Sequence, residues 1–273
     1  MKAVTKIFFL LTALIFLYPV EILKADNKIS GSSSEKKLEV GEELVYVVKY
    51  SVMRLGEIKI RVTDKKEIGG KGYYSAIADI DSYPSIPFVH LHQVYETTMT
   101  PDFYSTFFRG LIKHDDYTSY TEYFFDYKHS KVRVREGKVN EKEPWIDTTG
   151  NIDKEYQDGL SILFYARMNS GKRKKEEVPV FMNEKKVTTD IDFDGEREGV
   201  SIDAVDYDVD CVHLEGEANF ISIFGLTGHF EGWFSNDEAA IPIKAKMNVI
   251  LGNITLELKS WKRNGWQPPK YRD

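Results

Sequence analysis

Two carboxylates, Asp158 and Asp237, are the residues with which this chain could do acid–base chemistry. Such a pair cleaves a polymer when it flanks a cleft at roughly 5–9.5 Å with separated pKa values. Ser161, in Gly159-Leu160-Ser161-Ile162-Leu163, begins like the nucleophile elbow G-x-S-x-G. The last position is Leu where the sharp turn needs a small residue, so Ser161 reads as a helix residue bonding locally. Asp190-Ile191-Asp192-Phe193-Asp194-Gly195 has the opening spacing of a calcium loop, but Ser201 stands where a bidentate Glu belongs. A charged hairpin ending in an Asp-Gly turn is the simpler expectation. His90 and His92 share a strand face, yet zinc wants a third protein ligand and none presents itself. Cys211 alternates with Val212 and His213; a reactive thiol needs exposure and a basic neighbour, and a buried strand cysteine needs neither. These patterns assign no catalytic residue, no metal site and no cofactor.

The elements that would position these groups are strands. Glu57 to Thr63 alternates charged or polar with apolar residues, as do Lys131 to Arg135, Ile241 to Val249 and Ile254 to Lys259. A period of two marks sheets with one face on a core and the other in water. Gly69-Gly70-Lys71-Gly72, Asp194-Gly195 and Gly252-Asn253 read as hairpin turns. On the order of ten to twelve strands are expected, without a βαβ rhythm. The fold class is mainly β: a curved antiparallel sheet, or a partly open barrel or sandwich, with one central buried helix. An outer-membrane barrel fits poorly, because strand lengths are irregular and the chain ends in a polar, Pro-rich tail, 265–273. The dense aromatics between Phe103 and Tyr127 suit either a core or a platform for sugars or acyl chains.

The helix is expected over Asp158–Asn169, with Asp158 as N-cap and Gly171 as stop. Leu160, Ile162, Leu163, Phe164, Tyr165 and Ala166 do not keep to one stripe, so the helix should be covered nearly all round. Laid in the concave face of the sheet, it should govern any ligand cavity, with Leu163 buried and Phe164 controlling uptake. Arg167 then needs a buried carboxylate, Asp158 or Asp237.

Lys2 and Lys6 precede an uncharged apolar run, Ile7 to Val20, and Ala25 offers a small residue for cleavage. Residues 1–25 read as a cleavable signal peptide, with retention as an anchor the alternative; the run is short of the ~20 residues a span needs. Residues 26–38 form a polar, Ser-rich lead-in, and 39–264 a single β-rich domain. Localisation is expected in the periplasm or outside the cell, with no transmembrane segment after cleavage. No cysteine lies near the signal to carry a lipid, and the one cysteine excludes an intrachain disulfide. A net charge of −6 argues against a nucleic-acid partner. The basic run Lys172 to Lys175 is followed at once by Glu176 and Glu177, as in a solvated loop.

Three stretches resemble one family of exported bacterial proteins, the domain of unknown function 3108. Gly41-Glu42-Glu43-Leu44-Val45-Tyr46 with Gly56 resembles its opening; Gln157-Asp158-Gly159-Leu160-Ser161 with Tyr165 and Arg167 resembles its central helix, where Pro is usual at Gly159. Trp233-Phe234-Ser235-Asn236-Asp237 with Ile241-Pro242-Ile243-Lys244 resembles its late strand pair. The resemblance implies a periplasmic β-rich fold and no established chemistry. Asp158, Ser161, Phe164, Tyr165, Arg167, Trp233 and Asp237 are the motif positions, either structural or ligand-lining. A curved sheet around an apolar helix suits a binding module for a lipid, lipoprotein or envelope polymer. The alternatives are a carboxylate-dependent hydrolase of an envelope polymer and an assembly partner without a small ligand.

Overall fold

The computed structural model describes residues 38–86, 90–223, 225–249 and 252–272. The signal-like segment and nearly all of the lead-in lie outside the described residues. Two antiparallel meanders make up the rest. The first runs through β1 (Glu43–Tyr50), β2 (Met53–Ile68), β3 (Lys71–Ser82), β4 (His92–Met99), β5 (Ser105–Lys113), β6 (Thr118–Asp126), β7 (Lys131–Lys138) and β8 (Ile146–Asn151). The helix α1 (Ser161–Asn169) follows. The second meander runs through β9 (Lys174–Met182), β10 (Lys185–Phe193), β11 (Arg197–Val200), β12 (Val209–Ala218), β13 (Leu226–Ser235), β14 (Pro242–Val249) and β15 (Gly252–Lys262).

Pairing of β1 with β15 fuses the meanders into one sheet, ordered β8-β7-β6-β5-β4-β3-β2-β1-β15-β14-β13-β12-β10-β9, with β11 also on β12. The fold class is as the alternation implies: mainly β, antiparallel, curved and not closed into a barrel. Gly69 and Gly70, both at positive φ, make the two-residue turn between β2 and β3. The Asp194-Gly195 site differs from expectation. Thr189–Asp192 and Arg197–Val200 both pair with β12, in the same sense, so these residues interrupt a strand rather than reverse it. The last hairpin closes at Val249 opposite Gly252, two residues earlier than its Gly-Asn signal suggests.

Even-numbered residues of β1, β2, β3, β5 and β7 and odd-numbered ones of β4 and β6 face inward, where Leu44, Ile58, Ala78, Tyr95, Phe108, Tyr123 and Val134 join one core. The same core takes Cys211, Trp233, Ile243 and Leu258 from the second meander, so both halves share it. Because β8 and β9 are the free edges, the link between them crosses the inner face, and it carries α1. Leu160 and Phe164 pack into the main core, while Tyr165 and Ala166 pack into a second, with Val178, Phe193 and Leu214. That explains a helix apolar on every side. It starts at Ser161, with Leu160 rather than Asp158 as N-cap, two residues later than its signal, though the Asp158 carboxylate still accepts from the backbone N–H of both Leu160 and Ser161 at 2.7 Å. Leu163 is only half-buried.

The edge strand β9 lies against the inner face without a ladder to β8. At the end near the helix the 156–157 segment stitches β9 to β5: Tyr156 O accepts from Ser105 N at 3.0 Å, and Gln157 exchanges backbone bonds with Pro179 and Phe181. Above that stitch, the Phe181 ring meets Tyr123 and Phe125 edge-on at 5.0 and 5.8 Å between centroids.

Candidate binding cavity

Cross-strand register explains why one end of this inner face is filled and the other hollow. One row of paired inward residues reads Ala76, Thr97, Phe108, Tyr123, Val134. The next reads Ala78, Tyr95, Gly110, Thr121, Glu136. Beyond it come Gln93, Ile112 and Ser119, with Gly56 paired to Ser82 on the neighbouring strands. Large rings thus give way to Gly, Ser and Thr within two rows. The space they leave is a cavity of about 710 Å³. Tyr95, Phe108 and Tyr123 form its floor; Met182 and Ile223 wall it beside Gly159, where a Cβ would meet their side chains at 2.7 and 2.5 Å.

Polar groups are few and of one sign. The charged residues lining the cavity are Asp81, Glu136 and Glu184; no Lys or Arg lines it among the described residues. Asp81 is held by His92 Nδ1 at 2.6 Å. Glu136 lies on the inner face of β7, in line with Val132 and Val134. Burial, and then the hydrogen bond and charge of Glu184, push its carboxyl up to about 7. Tyr123 Oη donates to Glu184 Oε1 at 3.1 Å, and burial raises that phenol. Neither Glu136 nor Glu184 was among the candidate residues. The signal for Glu136 lay in the alternation itself, because Val132-x-Val134-x-Glu136 places a carboxyl on an apolar face.

The motif residues occupy other places. Asp158 is fully buried: besides its two backbone donors it accepts from Thr97 Oγ1 at 2.5 Å. Burial raises its carboxyl against the pull of Ser105, Thr97 and the backbone N–H groups. Ser161 Oγ donates to Gln157 Oε1 and accepts from Asp158 N, both at 2.8 Å. Asp237 Oδ1 accepts from Ser235 Oγ and from Ala239 and Ala240 N–H, and Oδ2 accepts from Trp266 Nε1 at 2.8 Å. Each carboxylate is thus committed to its own turn, and neither lines a described cavity. Phe164, expected at the cavity, lies in the core below it. Tyr165 donates to Glu176 Oε1 at 2.8 Å. Trp233 Nε1 donates to Glu198, under the Lys246 ammonium.

Arg167 does find a carboxylate, but it is Glu42 rather than Asp158 or Asp237. Nη1 and Nη2 donate to the two Glu42 oxygens at 2.5 and 2.9 Å, and Nε donates to Ala239 O at 2.9 Å. Arg263 also donates to Glu42, so one acidic side chain holds two guanidinium groups with almost no solvent. Within the Asp190–Gly195 run, Asp192 pairs with Lys175 and Asp194 with His213 at 2.6 Å each. Cys211 is buried, and burial raises its thiol.

A rolled, half-open antiparallel sheet with an internal helix and an unfilled end is the class of structure these observations define. The chain belongs to the DUF3108 family, proteins of unknown function, whose model matches residues 45–259. The fold is similar to a crystal structure of a β-barrel-like protein of domain of unknown function DUF1849 from Brucella abortus, with 11% identity and a TM-score of 0.50 over 82% of this chain and 97% of that one. A protein from Bacteroides fragilis with a YmcC-like fold, described as exported, aligns at 10% identity over 84% and 98% with a TM-score of 0.33. No curated protein matches the sequence. No helix among the described residues is long and apolar enough to cross a membrane.

Proposed function

We propose that the protein is an exported binding module that holds the apolar part of an envelope lipid or lipoprotein in the hollow end of its sheet. One observation carries this reading: an apolar cavity of about 710 Å³ persists where the same strands, two rows away, are closely packed. Its volume is that of a small-molecule site, and its lining is mainly Leu, Ile, Val, Met and aromatic side chains with a few placed polar groups. Carboxylates without a cation disfavour a free fatty acid or phosphate inside, so the ligand's buried head is uncharged or cationic. Export rests on the basic-then-apolar start of the sequence, and a single domain on the shared core.

The test is native mass spectrometry with lipid extraction of protein purified from its own envelope. An acyl species should co-purify and be lost in Ile112→Trp, which fills the cavity from β5. Protein that is empty, and that takes up no acyl alcohol or acyl amine afterwards, refutes the reading. N-terminal sequencing should begin near Asp26; recovery of Met1 from washed membranes would refute cleavage.

A further inference from the structure

Apolar side chains that meet water are not spread evenly over this molecule. Among the described residues, Val40 and Ile68 stand exposed at the closed end and Phe124 on the outer face; the other large exposed ones ring the hollow end. Val52 and Met53 lie at the β1–β2 turn, Leu91 leads into β4, Trp145 leads into β8, and Ile221 lies between β12 and β13. These four connections share one rim, because β1, β3, β7 and β12 all run toward the hollow end.

Folding does not ask for apolar residues there. Val52 is 95% exposed, in a two-residue turn where Gly, Asn or Asp is the usual choice. Trp145 is also more than half exposed, touching Tyr117 edge-on at 6.2 Å between centroids. Leu91 and Ile221 belong to two surfaces at once: each is exposed, and each lines the cavity. The apolar rim is therefore continuous with the cavity wall. Charges at the rim are balanced within the chain. Arg54 pairs with Asp203, His92 with Asp81 and Lys138 with Glu141. The β5–β6 turn adds Asp115 and Asp116, and the β7–β8 loop sets Lys142 between Glu141 and Glu143. Among the described residues these loops hold no cluster of Lys or Arg of the kind that seeks an anionic surface.

We infer that the hollow end docks on a lipid bilayer, with Val52, Met53, Leu91, Trp145 and Ile221 entering its outer layer, so that the cavity opens onto the membrane. The inference rests on the binding reading for what then enters the cavity, and it adds where the protein stands to take it. A bilayer is the occupant these features fit. A protein partner, or a second copy of this chain, needs a close-packed apolar centre to its interface. Here the apolar tips stand on separate loops, with paired charges between them. A fluid surface asks for no shape match and accepts separate tips, and Trp suits the headgroup level. An acyl chain moving between bilayer and cavity past Leu91 and Ile221 stays on apolar surface throughout. Balanced charge makes the docking apolar, hence indifferent to lipid charge and to salt.

Flotation with phosphatidylcholine vesicles, using protein purified from its own envelope, tests this. The protein should float with the vesicles, equally with or without added phosphatidylglycerol and at about 0.5 M salt. Vesicles of chain-brominated phosphatidylcholine should quench tryptophan emission in the native chain and not in Trp145→Phe; a retained N-terminal anchor would float but would not single out Trp145. Val52→Asp combined with Met53→Asp should weaken partitioning at least about tenfold. Val40→Asp with Ile68→Asp, at the other end, should leave it unchanged. Failure to float, a requirement for anionic lipid, or equal quenching in Trp145→Phe overturns the docking. So does a native-mass dimer that Val52→Asp dissolves without any flotation, which would make the rim an interface between copies. Ile112→Trp, with its cavity filled, should still float. Flotation with no acyl species co-purified refutes only the ligand; a co-purified acyl species with no flotation refutes only the docking.

Discussion

The closed and hollow ends of this molecule use the same strands, alternation and pairing, and differ only in the size of the inward side chains. At the closed end Phe108, Tyr123, Phe125 and Phe181 interlock around Leu160 and Phe164, and a buried Glu42 joins Arg167 of the helix to Arg263 of the last strand's end. At the hollow end Gly56, Gly110, Ser119 and Thr121 take the equivalent positions and leave room. Hydrophobic patterning therefore rolls the sheet, and side-chain volume, row by row, decides whether the roll becomes core or container.

The contrast can be broken first at the closed end. Arg167→Ala leaves Glu42 buried with a weakened partner set, and should cost about 3–5 kcal/mol in urea unfolding. Phe164→Ala, a truncation in packed core, should also cost about 3–5 kcal/mol. Leu163→Ala should cost clearly less, because that side chain is half-exposed. At the hollow end Ile112→Trp should shift stability by under about 1 kcal/mol, where overpacking a filled core costs about 1–3 kcal/mol. It should still abolish uptake of an apolar probe. If Ile112→Trp proves as costly as Phe164→Ala, the two ends are not distinct in packing. The smallest expected effect is a pH trend. The Glu136 carboxyl is raised in the folded chain, so its favourable contribution is complete below its unfolded value near 4.5 and is lost as pH climbs to about 7. The melting temperature of Glu136→Gln should therefore decline less over that window than that of the native chain.

What the sequence revealed follows the same division. Alternation along each strand exposed the inward and outward faces, and the all-round apolar segment exposed the internal helix. The need of Arg167 for a buried carboxylate was legible, but its partner was not: Glu42 lies 125 residues away and is brought near only by the β1–β15 junction. Asp194-Gly195 misled because a break in a strand and a reversal of it use the same residues. The cavity was illegible for a related reason. It depends on which Gly, Ser and Thr stand beside one another across strands, and register between distant segments is not written in any one of them.

The strand order also fixes how the chain can assemble. Within each meander most neighbours in the sheet are neighbours in sequence, so hairpins can set their own register with short loops. The β1–β15 ladder is different: Glu43 meets Lys262 across nearly the whole chain. Closing so long a loop costs more entropy than closing any of the hairpins, and it is rewarded only after the two meanders exist. That ladder should therefore set the folding rate, while the hairpins on either side set little more than its starting material. It also leaves the first and last strands side by side, so joining them by a short linker and opening the chain between β7 and β8 turns the slowest contact into the most local one.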